Sequence, residues 1–173
     1  MAMTEAAHSA QQAFAKRVAQ ELRIAAKTKS GAWSGRAVAR AADVYPRSVS
    51  NLAKLGLVPA TDLGPVDVLV VMTLDAVGAN RPTNRSDPDP RTAALIERDR
   101  QVADLVRTNA AALSKTHRLV LVGSCVSLLE EDHEVQAAAA ANRFASYIVV
   151  PVGMWAATLA GHLGGALDVG RAA

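Results

Sequence analysis

Apolar positions along this chain recur mostly at helical spacing. Phe14, Val18 and Leu22 repeat every four residues, with Ala15 and Ala25 beside them, and predict one helix over residues 4–29. Ser30-Gly31 breaks it, and Trp33 is expected to anchor the following loop in a small core. Over residues 34–59, Ala37, Val38 and Ala41 mark a short helix. Asp43-Val44-Tyr45 makes a corner, and Val49, Leu52 and Leu55 mark the inward face of a second helix. Pro46 suits the first position of that helix, since its fixed φ fits and its missing N–H would have had no partner there. Gly56 can close it. Arg47, Ser48, Ser50, Asn51 and Lys54 are left on the outward faces.

Residues 64–77 are almost wholly apolar. Their β-branched side chains favour a strand, whereas Pro65, Asp67 in a first turn and a length of fourteen residues favour a helix. The two short helices need a packing partner, and a helix buried on most sides supplies it. Residues 78–90 hold three Pro, two Asn, Arg81 and Arg85 without an apolar run, and read as a linker. Asp89-Pro90 starts a long helix to about Lys115, with Leu95, Val102, Val106, Ala110 and Leu113 in one stripe. The charges at 97–100 are expected to face solvent. That stripe suits a dimer coiled coil or a helix docking on the segment after it. From His117 the period changes. Two short strands around Gly123-Ser124, an Ala-rich helix, a strand ending near Pro151 and a final helix make a β-β-α-β-α unit.

The resulting fold class is mainly α. It comprises an N-terminal helix-turn-helix domain (1–77), a linker (78–90), and a long connecting helix leading into a small α+β C-terminal domain (91–173). Two short helices, the second with a polar and basic outer face, are what a helix-turn-helix needs to enter a major groove. The stretch also resembles the MerR-type recognition helix, which runs Val-Ser-Pro-Arg-Thr and ends on Gly-Leu-Leu. Val44, Pro46, Arg47, Ser48, Val49, Gly56, Leu57, Val58 and Pro59 match at the family's spacing. The family's pattern also places a helix over 64–77. The chain departs from it at Ser50 and Asn51, where the family has Arg and Tyr, and at Tyr45, an N-cap position that Ser would suit better. No basic, aromatic wing follows Pro59. The resemblance implies a helix-turn-helix reader of DNA, without implying promoter untwisting or a bound effector.

Charge agrees with that organisation. Residues 1–60 carry nine Lys and Arg against Glu5, Glu21 and Asp43, a net +6, while the remainder is net −3 within an overall +3. A basic segment joined to an acidic one is the footprint of a DNA-binding part attached to something else. Half of the residues are hydrophobic, the mean hydropathy is +0.13 and aromatics are only 3%, so the core must be Ala, Val and Leu. Cys125 is the single cysteine. It can form no internal disulfide, lacks companions for zinc, and is expected to fill space in the interior. No secretory signal is read at the N-terminus, and a cytoplasmic location is expected. The apolar stretch 147–167 is nominally long enough to span a membrane, but Pro151 and four Gly interrupt it, so no membrane association is expected.

Motifs for catalysis are missing. There is no Gly-rich phosphate loop, His-Glu-x-x-His or Cys-x-x-Cys. His133 among Glu130, Glu131, Asp132 and Glu134 reads as a solvated acidic cap rather than a metal site. The chain is therefore expected to be no enzyme and to need no cofactor. The expected function is a sequence-specific regulator of transcription bound to a double-stranded DNA operator, a repressor of phage or prophage immunity type acting by promoter occlusion. Arg47, Ser48, Asn51 and Tyr45 would face base edges, with Ser50 beside them. Arg36, Arg40, Lys54 and Lys27 would hold phosphates, and Arg81 and Arg85 would reach a minor groove. A homodimer through the long helix or the C-terminal domain is the expected assembly. The competing readings are a non-enzymatic interaction module, such as an antitoxin or adaptor, and a ligand-sensing dimer.

Overall fold

The computed structural model describes residues 5–25, 32–79, 89–141 and 147–164. Among these the chain is mainly helical, with one small antiparallel sheet towards the C-terminal end. The helices are α1 (Glu5–Ala25), α2 (Gly35–Ala42), α3 (Pro46–Lys54), α4 (Pro65–Ala76), α5 (Pro90–Asn109), α6 (Asp132–Ala141) and α7 (Val152–Leu163). The strands are β1 (Arg118–Val122), β2 (Cys125–Leu129) and β3 (Tyr147–Val150).

The ambiguous apolar stretch is a helix, and it is the centre of the molecule. Val68, Leu69, Val70, Val71 and Leu74 of α4 are all fully buried, on successive sides of the helix. Pro65 opens α4, and the Asp67 carboxylate accepts the Gly64 N–H at 2.8 Å. The Thr73 hydroxyl donates to the Leu69 carbonyl at 2.8 Å, which satisfies a buried polar group within the helix. Helical caps and all-round packing thus override the β-propensity of the valines. Packed on α4 are α2, α5 and α7. One cluster of buried residues runs from Phe14 and Val18 through Leu52 and Leu74 to Val106, Leu119 and Leu159, so it takes members from both sides of the 78–90 segment.

The expected stripe packs within the chain, but α5 stops at Asn109, short of the expected Lys115, and a 3-10 turn follows. Val102, Ala103, Val106 and Ala110 are buried, and Leu95 and Leu113 are half-buried. The expected solvent-facing run at 97–100 is corrected at its centre. Asp99 is 3% exposed and is paired with Arg98, because residue 99 lies three positions before Val102 and turns to the same side. After a 3-10 turn at Ala110–Ala112 the chain enters the sheet, ordered β2-β1-β3 and antiparallel throughout. Val122 pairs with Cys125 across the hairpin, and Leu119 with Val150 on the other side. Leu119, Val120 and Leu121 of the middle strand are buried. Cys125 is exposed, contrary to expectation, because it opens an edge strand. No helix among the described residues is long and apolar enough to cross a membrane.

Candidate nucleic-acid interface

Ser34 starts α2 by accepting the Ala37 N–H on its hydroxyl at 3.1 Å. The helix ends where Asp43 adopts a left-handed conformation, φ 60°, that a short polar side chain tolerates. The Val44 N–H then reaches back to the Ala39 carbonyl at 2.9 Å, and the Asp43 N–H to Arg40 at 3.3 Å. This pair of bonds turns the chain tightly and launches α3 three residues later. Tyr45 holds the N-cap position with no side-chain cap bond and is 83% exposed. Gly56, φ +69°, closes the far end, with the Leu57 N–H on the Leu52 carbonyl at 3.0 Å. Glycine takes that conformation at no steric cost.

Two opposite faces of α3 are now distinct. Val49 and Leu52 are buried against the core. Arg47, Ser50, Asn51 and Lys54 fall at i, i+3, i+4 and i+7, which is one side of a helix. Arg47, Ser50 and Lys54 are exposed and Asn51 is half-buried. Ser50 donates to the Pro46 carbonyl at 3.4 Å, a loose bond that leaves its lone pairs open. Arg47, Lys54 and Arg36, which lies exposed in the first turn of α2, make no ion pair among the described residues. One expected base contact is turned away from the surface, and one expected phosphate contact is already engaged though exposed. Ser48 is 5% exposed and faces inward, because it sits four residues before Leu52 and shares its side. Arg40 does not project freely. Its guanidinium donates to both oxygens of Glu21 in α1, Nε at 2.7 Å and Nη2 at 2.8 Å, and that bond raises its pKa further. Lys27, Arg81 and Arg85 lie outside the described residues.

The supports of this face were not apparent from sequence. Glu21 is 2% exposed and holds α2 to α1 through Arg40. Arg17 donates to the Ala41 carbonyl at 3.3 Å and pairs with Asp43 at 3.5 Å, so α1 grips the corner itself. From the other side Arg107 of α5 donates to the Leu57 carbonyl at 3.2 Å and stands 3.8 Å from Asp67. Burial pushes the Asp67 carboxyl above its ordinary value, against the lowering effect of its bond from Gly64 and the nearby Arg107. Each of these partners is far away in sequence, and nothing in local spacing marks them as pairs.

The link from α3 to α4 has no hairpin. It is tied down by the Trp33 N–H on the Leu63 carbonyl at 2.8 Å, and Trp33 is 5% exposed, as a loop anchor should be. At the start of α6, Glu134 accepts the N–H groups of Glu131 and Glu130, each at 3.1 Å, which holds its carboxyl below the usual range. His133 is exposed and 2.8 Å from Glu131. That is the geometry of a helix cap. No set of three or more His, Cys, Asp or Glu is grouped to hold a metal among the described residues. Comparison of the chain with protein-family models, with curated proteins and with solved structures gives no match.

Proposed function

We propose that this chain is a sequence-specific double-stranded-DNA-binding regulator of transcription, a repressor that acts by occluding a promoter and catalyses nothing. The observation that carries the reading is the outer side of α3. Arg47, Ser50, Asn51 and Lys54 line one exposed side of a helix whose other side is locked into the core, and no carboxylate pairs with its two cations among the described residues. A major groove accepts such a helix, and an Arg or Asn on it can make paired hydrogen bonds to guanine or adenine edges. Tyr45, exposed at the leading end, would reach the same groove, and Arg36 would hold a flanking phosphate.

Selection of bound sequences from random duplexes tests the proposal. A defined motif is expected, palindromic if two copies bind about one helical turn apart. Arg47→Ala should then relax preference at one base position by about 1–3 kcal/mol. Lys54→Ala should weaken all duplexes alike. No enrichment in the selection, or both variants unchanged, would overturn the reading.

A second reading, a protein-binding module of antitoxin or adaptor type, is favoured by one observation. Tyr147, Ile148 and Val149 are all exposed along β3, an edge strand of the sheet. Uncovered apolar edges are places where another chain can add a strand. Co-purification of a stoichiometric protein partner, with no duplex retained at low salt, would favour it over the first.

A further inference from the structure

The exposed side of α1 carries cations that the corner does not use. Arg17 is engaged with Ala41 and Asp43, and Arg40 with Glu21. Lys16 and Arg23 are exposed and make no ion pair among the described residues. With Gln20 between them they stand at i, i+4 and i+7, one stripe pointing away from Phe14 and Val18. A shallow depression of about 550 Å³ runs along this stripe, lined by Lys16, Ala19, Gln20, Arg23 and Ile24. Gln20 also lines the adjoining depression that leads over Arg40 and Asp43 to Val44, the residue before Tyr45. The two depressions thus share Gln20, and the second ends at Val44, two residues before α3 begins.

We infer that Lys16, Gln20 and Arg23 form a second contact on the same duplex, seating its sugar-phosphate backbone beside the groove that α3 reads. This rests on the function proposed above. Charge complementarity decides the occupant. Two cations and an amide are spaced along one helical face, with no ion pair to those cations and no lining carboxylate among the described residues. The acids of the adjoining depression, Glu21 and Asp43, are held by Arg40 and Arg17, so the stripe suits phosphate oxygens, which every sequence presents alike. Such contacts position the protein and contribute no base preference.

The test is the salt dependence of binding to a short mixed-sequence duplex, measured for the wild-type chain and for single variants. Each neutralised phosphate contributes about 0.9 to the slope of log affinity against log salt. Lys16→Ala and Arg23→Ala should each lower that slope by about one, and together cut the affinity lost between about 50 and 200 mM salt by roughly tenfold. The motif selected from random duplexes should stay the same. Lys115→Ala, an exposed lysine in the turn before β1, should leave the slope unaltered. All three side chains are exposed, so the folded chain should tolerate their loss. Wild-type slopes in both α1 variants, or an equal drop in Lys115→Ala, would overturn the inference while leaving the role of α3 standing. A wild-type chain that binds no duplex would overturn the function itself, and this inference with it.

Discussion

Arg40 is already anchored before any partner arrives. Its planar, forked guanidinium joins α2 to α1 through two bonds to Glu21. Arg40→Ala would strand a carboxylate that is 2% exposed, and should cost about 1–3 kcal/mol in urea unfolding. Arg40→Lys should recover only part of it, since an ammonium cannot make the two parallel bonds. Asp67 gives a pH signature of definite sign. Burial raises its pKa from the ordinary 3.8, so its contribution to stability is fully present below that value and is lost as pH rises through the raised one. Asp67→Asn keeps an acceptor for the Gly64 N–H and does not titrate. Relative to wild type it should therefore gain stability between about pH 3.5 and pH 7, read from denaturation midpoints at both.

Among the elements, the α2–α3 corner was legible because local chemistry and burial agree there, whereas α4 was legible only because Pro65, Asp67 and its length outweighed its β-branched residues. Pro46 and Pro65 each stand at the first position of their helix, and Gly56 at the close of one. Strand and helix order from Arg118 onward was equally plain from the change of period. The sequence did not tell which sides of an element would be covered. Ser48 and Asp99 turn inward because Leu52 and Val102 do, and Cys125 stays outside because β2 has a neighbour on one side only. The contacts of Glu21, Arg17 and Arg107 depend on segments distant in sequence, which a one-dimensional pattern does not encode. The packing of α7 offers a sharp test. A Cβ on Gly153 would lie 1.9 Å from the Ser114 carbonyl oxygen, where the Gly153 N–H meets the His117 carbonyl at 3.1 Å. Gly153→Ala must push α7 off the turn before β1, and should destabilise the chain by about 1–3 kcal/mol or more, seen as a lower midpoint in urea.

At the scale of the whole molecule, the helices that form the proposed reading head share their core with the rest of the chain. α1 packs on α7, with Gln11 donating to Thr158 at 3.4 Å, and α4 is covered by α5 and α7. A fragment of residues 1–79 would expose the sides of α4 that α5 and α7 cover in the intact chain. Such a fragment should show helical circular dichroism without a cooperative melt, whereas the intact chain should unfold in one transition. Arg107 has a consequence of another kind. By holding the Leu57 carbonyl just past the end of α3, while α1 holds the corner just before it, the chain fixes that helix at both ends. Under the proposed function, such a rigid template orders little more of itself on docking, so its entropic toll falls mainly on the long side chains that meet the duplex. Bending and groove adjustment are then left to the DNA, and pliant base steps that α3 never touches become part of what the protein selects.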